Sequence, residues 1–207
     1  MLKIRDRDFR IKDATIEAFV VDPYWHKKYN SMGASGLHWS LNVQCEQEEF
    51  EGESWTPCVY FESMVLPISA WTNLEGQQVV WRAAHDAQTG ERNGGFYVFE
   101  HGDIAKGCIR IGLREGSNFK IEWDGLCDIY WDDIYKNDVP FSLITQANFK
   151  GITVMASEYD TAETVRTRLA LYTDVNNLFQ GPFTLSKNKY QDGVGMARCE
   201  FFPILSD

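Results

Sequence analysis

The chain has 207 residues, 44% hydrophobic and 14% aromatic, the make-up of a packed globular protein rather than a disordered one. Twenty basic and thirty acidic residues leave a net charge of −10, a field that repels nucleic acid and anionic membranes and attracts a basic protein. No apolar run reaches the roughly 20 residues of a membrane helix, and the charged start MLKIRDRDFRIKD lacks a signal-peptide centre, so a cytoplasmic location is expected.

The first elements alternate apolar and polar residues, the pattern of strands with one wet face. LKIRD at 2–6 and FRIKDATIEAFV at 9–20 read this way, with Phe9, Ile11 and Ile16 inward. The segment DPYWHKKYNSMGASG at 22–36 reads as a loop. Its Tyr24, Trp25 and Tyr29 offer a contact surface, unless Trp25 folds back as a lid. HWSLNVQCE at 38–46 reads as a central strand with Trp39, Leu41 and Val43 on one face. It runs into QEEFEGESW, and over residues 46–53 five glutamates (Glu46, Glu48, Glu49, Glu51 and Glu53) fall within eight residues. A charge run of this kind is the end of a solvated hairpin or part of a binding face.

CVYFESMVLPISAW at 58–71 is strand-like up to Pro67, which removes a ladder donor. QQVVWRAA at 77–84, FYVFEH at 96–101 and CIRIGL at 108–113 follow as strands, separated by turn-rich segments. Glu115-Gly116-Ser117-Asn118 carries hairpin chemistry before FKIEWDGLCDIYW at 119–131. PFSLITQA at 140–147, PFTLSK at 182–187 and ARCEFFPIL at 197–205 complete the strand series. Residues 163–178 are ambiguous. Asp160-Thr161-Ala162-Glu163 resembles a helix capping box, while Val165, Thr167, Leu169 and Leu171 alternate as in a strand.

Four pairs of segments match in order at nearly one offset. FRIKDATIEAF at 9–19 lies against 119–129, 38–45 against 140–147, Asn73-Leu74 against Asn177-Leu178, and Phe99 against Phe201. These matches predict an internal duplication, with repeats over 1–103 and 104–207 packed tightly together. They also resolve 163–178 as a strand, the counterpart of 58–71. The expected fold is an all-β, internally duplicated antiparallel β-sandwich.

Motifs for chemistry are sparse. The chain has no phosphate-binding glycine loop and no nucleophile elbow, and His26, His38, His85 and His101 are scattered. No metal or other cofactor is expected. Cys45, Cys58, Cys108, Cys127 and Cys199 are odd in number, without a Cys-x-x-Cys pair, and read as reduced core thiols. One carboxylate group, Glu122, Asp124, Asp128, Asp132 and Asp133, interleaves with Trp123, Tyr130 and Trp131. A glycosidase or a carbohydrate-binding protein could use such a set, or it is the wet face opposite Trp123.

The functional expectation is therefore a non-enzymatic cytoplasmic protein that binds a basic protein partner, as a toxin-neutralising (immunity-type) or inhibitory protein does. Nucleic acid and membrane are not expected as partners, and a homo-oligomer is compatible with the sequence. The expected surface combines Tyr24, Trp25 and Tyr29 with Glu48, Glu49, Glu51 and Glu53. Two alternatives stand beside it: carbohydrate chemistry at Glu122–Asp133, and a structural subunit of an oligomer or phage particle assembled through strand edges.

Overall fold

A computed structural model describes residues 1–21, 36–87, 90–130, 136–190 and 192–205. In chain order the strands are β1 (Leu2–Ile4), β2 (Arg7–Phe9), β3 (Ile11–Val21), β4 (Gly36–Cys45), β5 (Glu48–Phe50), β6 (Glu53–Trp55) and β7 (Cys58–Val65). A 3-10 turn (Trp71–Leu74) leads to β8 (Gln78–Trp81), β9 (Gly95–Val98), β10 (Glu100–Glu115), β11 (Asn118–Ile129) and β12 (Lys136–Ser157). Helix α1 (Ala162–Leu169), β13 (Leu178–Lys189) and β14 (Gly195–Pro203) follow. The all-β class expected from the alternating pattern is what the chain adopts, with 65% of it in strands.

Twelve strands form one sheet, and β5 with β6 forms a separate two-stranded one. Within the large sheet the pairings return on themselves, through β11, β10, β9, β7, β4, β3 and β12 back to β11. All these pairs are antiparallel except β3 with β12, which run parallel from Asn148 opposite Thr15 to Val154 opposite Val20. The sheet is therefore mixed rather than purely antiparallel.

β12 makes this circuit possible because it serves two sets of neighbours. Its first half lies between β1 and β11, and its second half pairs with β3 and β14. Inward residues are Phe141, Leu143, Ala147 and Phe149 in the first half, but Ile152, Val154 and Ala156 in the second. The change of phase occurs at Gly151 (φ +141°), where a Cβ would lie 2.3 Å from the Phe201 carbonyl oxygen. A bulge at a glycine thus keeps the apolar set of a 22-residue strand pointing inward throughout.

One continuous core fills the molecule. Trp39 from β4 packs on Phe149 from β12 with ring centroids 5.8 Å apart, and Trp71 stacks on the same Phe149 at 5.2 Å. Trp81, Trp123 and Phe141 form a second aromatic run, edge to face. The expected boundary between residues 103 and 104 falls inside β10, and the core draws on residues from both sides of it.

The structure does not confirm the duplication. Segments 38–45 and 140–147 turn the same positions inward, as do Phe9 and Phe119, but beyond these the matched strands β3 and β11 face opposite ways. Ala14, Ile16 and Ala18 point inward in β3, whereas their counterparts Asp124, Leu126 and Asp128 lie on the outer face of β11, whose inward set is Phe119, Ile121, Trp123, Cys127 and Ile129. A phase difference of one residue sends every side chain of a strand to the other face. Phe99 and Phe201 also occupy unlike settings, a left-handed turn (φ +66°) and the middle of β14.

The strand expected at 163–178 is corrected to a helix, α1, followed by turns and the start of β13. Local chemistry prevails here. Thr161 caps the helix by accepting from the Thr164 N–H at 3.2 Å, and the Thr164 hydroxyl accepts from the Thr161 N–H at 2.8 Å. Val165 and Leu169, one helical turn apart, are the buried pair. Arg168 and Asp160, both largely buried, meet at 2.7 Å and tie the helix to the end of β12. All five cysteines are free thiols, four of them buried.

Candidate functional site

Among the sequence-expected contact residues, the structure brings the glutamates of the β5–β6 hairpin together. Tyr24, Trp25 and Tyr29 lie outside the described residues. Glu51 (φ +52°) and Gly52 (φ +82°) both adopt left-handed backbone, the requirement of a tight two-residue hairpin turn. Glycine meets it without strain. Glu51 occupies a conformation that costs a residue with a Cβ about 1–2 kcal/mol. The ladder sets Glu48 opposite Trp55, Glu49 opposite Ser54 and Phe50 opposite Glu53. Alternation along a strand then places Glu48, Phe50, Glu53 and Trp55 on one face and Glu49 with Ser54 on the other. The Gln47 side-chain amide donates to the Ser54 hydroxyl and closes the hairpin base.

Aromatic contacts hold this small sheet on the body. Phe50 stacks on Phe99 with centroids 4.3 Å apart and planes 13° from parallel. Trp55 meets Tyr97 at 5.6 Å, and Tyr97 meets the exposed His101 at 4.6 Å. The Arg7 guanidinium lies 4.7 Å from the Phe99 ring, 5.3 Å from Phe9 and 5.8 Å from Phe50. Phe99 is buried and holds a left-handed backbone between β9 and β10, a conformation rare for a bulky side chain. There its ring faces the hairpin.

Between hairpin and body lies a cavity of about 310 Å³ lined by Phe50, Glu51, Glu53, Trp55, Phe99 and Glu100. Among the described residues, its lining side chains are aromatic rings and carboxylates. Glu100 Oε1 and Trp55 Nε1 are shielded from solvent and have no hydrogen-bond partner among the described residues. The negative field continues along β10 and β11. The exposed Tyr130 phenol is pushed up from its ordinary pKa by Asp128 foremost, with burial, Asp103 and Glu100 adding to the effect.

Ion pairs on the surface lie away from the hairpin. Arg92 pairs with Asp103, Arg110 with Asp124, Lys120 with Glu122 and Arg198 with Glu200. Among the described residues, Glu48, Glu49, Glu51 and Glu53 have no such partner.

The second carboxylate group is arranged differently. Glu122, Asp124 and Asp128 do share the outer face of β11, opposite the buried Trp123, while Asp132 and Asp133 lie outside the described residues. Lys120 hydrogen-bonds Glu122 and holds its carboxyl below the ordinary range. A glycosidase acid needs the opposite, a carboxyl kept protonated near neutral pH. Asp124 accepts from Arg110 at 2.5 Å, and Asp128 from the Asp138 N–H at 3.2 Å.

Sequence reasoning found the glutamates but not their setting. Phe50 and Trp55 stand in the acidic run and could have been read from it as the apolar side of a hairpin. Arg7, Phe99 and Glu100 carry no local signal, because only the tertiary fold brings them beside residues 50–55. Compared with protein-family models, with curated proteins and with solved structures, the chain finds no match in any of the three.

Proposed function

We propose that this chain is a non-enzymatic binding protein that recognises a basic surface on another protein, with the β5–β6 hairpin as its contact element. One observation carries this reading: four glutamates fall within six residues of a hairpin outside the main sheet, and none of them has an ion-pair partner among the described residues. Unpaired like charges at one place repel one another, and a basic partner relieves that repulsion while being drawn in over several ångströms. The net charge of −10 adds to the attraction. Seating on Phe99 and Tyr97 supports the reading further, since a preorganised element loses less entropy on binding. A toxin-neutralising or inhibitory role in the cytoplasm, in which the hairpin covers the basic working surface of the partner, is the concrete form of the proposal.

Capture from a cell lysate tests it, using the wild type beside a variant with Glu48, Glu49, Glu51 and Glu53 all changed to Gln. The expected result is a basic protein retained by the wild type, released by moderate salt, and not retained by the variant. Retention of the same proteins by both would overturn the reading.

A further inference from the structure

The cavity under the hairpin gives the proposed contact an anchor of defined chemistry. We infer that it receives the guanidinium of an arginine side chain from the partner protein. This inference rests on the hairpin reading above and adds the identity of the group that enters.

Charge selects the sign of the occupant. Glu51, Glu53 and Glu100 line the cavity, with no basic residue in its lining among the described residues. Glu100 Oε1 is shielded from solvent and has no hydrogen-bond donor among the described residues, and leaving a shielded acceptor unsatisfied is costly to a fold. A cation bearing N–H groups offsets that cost, and a neutral or anionic guest does not.

The walls select between cations. Phe50, Trp55 and Phe99 line the cavity, and a planar, weakly hydrated guanidinium packs against aromatic groups while also donating several hydrogen bonds. An ammonium is more strongly hydrated and makes poorer use of the rings. The protein already contains a cation on the same aromatic cluster. Arg7 sits 4.7 Å from Phe99 and 5.8 Å from Phe50 without an ion pair among the described residues, so its guanidinium is held there by ring faces. The incoming arginine repeats this arrangement with carboxylates added. Trp55 Nε1, which lacks an acceptor, suits the backbone carbonyl that an arginine brings with it.

The test needs no identified partner. N-acetyl-arginine amide, N-acetyl-lysine amide and N-acetyl-trimethyllysine amide are titrated into the full chain while the Trp55 indole N–H signal is followed by NMR, assigned from Trp55→Phe. The arginine amide is expected to move this signal and to saturate in the millimolar range, with the lysine amide about tenfold weaker. Glu100→Gln, which keeps shape, and Phe50→Leu, which keeps an apolar side chain, should each weaken arginine binding about fivefold. Equal responses to arginine and lysine, preference for trimethyllysine, or no response would each overturn the inference. The two readings fail separately. A silent arginine titration with a captured partner still lost on the Gln variant removes the anchor alone. Retention of the partner by that variant removes the hairpin reading.

Discussion

Phe50→Ala should release the β5–β6 hairpin from the body without unfolding the body. Phe50 is half-buried and stacked on Phe99 at 4.3 Å, with Arg7 over its ring. Losing half the burial of a phenylalanine costs about 1 kcal/mol. The aromatic pair contributes roughly 0.5–1.5 kcal/mol beyond area, and the cation contact about 0.5 kcal/mol more. Together these come to about 2–3 kcal/mol, a loss that a two-stranded hairpin cannot absorb, since alone it is marginal in water. The hairpin contributes no strand to the twelve-stranded sheet, so the cost should appear as local opening. Amide hydrogen exchange reads it directly. Hairpin amides at 48–55 should exchange roughly 30- to 150-fold faster, while those of β4 and β11 keep their wild-type rates. Unchanged hairpin exchange, or equal acceleration in the core strands, would refute the idea of an independently seated element.

Three further outcomes follow from the packing. Trp39→Ala, at a fully buried ring against Phe149, should cost roughly 3–5 kcal/mol in denaturant melts; an equal loss from Trp25→Ala would place that ring in the core as well. Asp160→Asn weakens contacts with Arg168 at 2.7 Å and the Ser157 N–H at 2.8 Å, and should destabilise the protein by about 2–3 kcal/mol, with a loss under about 0.5 kcal/mol marking the pair as dispensable. Burial pushes the Cys45 and Cys127 thiols up to about 12, so both stay protonated at pH 8 and should resist alkylation in the native state. After unfolding without reductant all five cysteines should react, and fewer than five adducts by intact mass would reveal a disulfide.

The strand content was legible because alternation is a local property. Trp39, Leu41 and Val43 share a buried face as their spacing requires, and Gly116 (φ +63°) makes the hairpin turn its sequence announces. Helix α1 was legible too, in its capping residues, but the supposed duplication argued against it. Matching letters at an even offset carry no information about which face each strand turns inward, and β3 and β11 differ in phase from residue 14 on. The parallel pairing of β3 with β12 joins residue 15 to residue 148 and leaves no local trace. The site divides along the same line. Its glutamates are contiguous and were visible, whereas the cavity joins residues 50–55 to Phe99 and Glu100 through long-range packing.

One association rate tests the role of the acidic hairpin most directly. With a captured partner in hand, association is measured by stopped flow across a salt series for the wild type and for the variant with Glu48, Glu49, Glu51 and Glu53 changed to Gln. Clustered surface charge acts mainly on encounter, so the variant should associate about tenfold more slowly at low ionic strength, and the difference should vanish as salt screens the field. Its melting temperature should hardly change, because solvated charges contribute little to stability. Association of the variant at the wild-type rate in low salt would contradict the claim and leave the acidic hairpin as no more than a solvated turn.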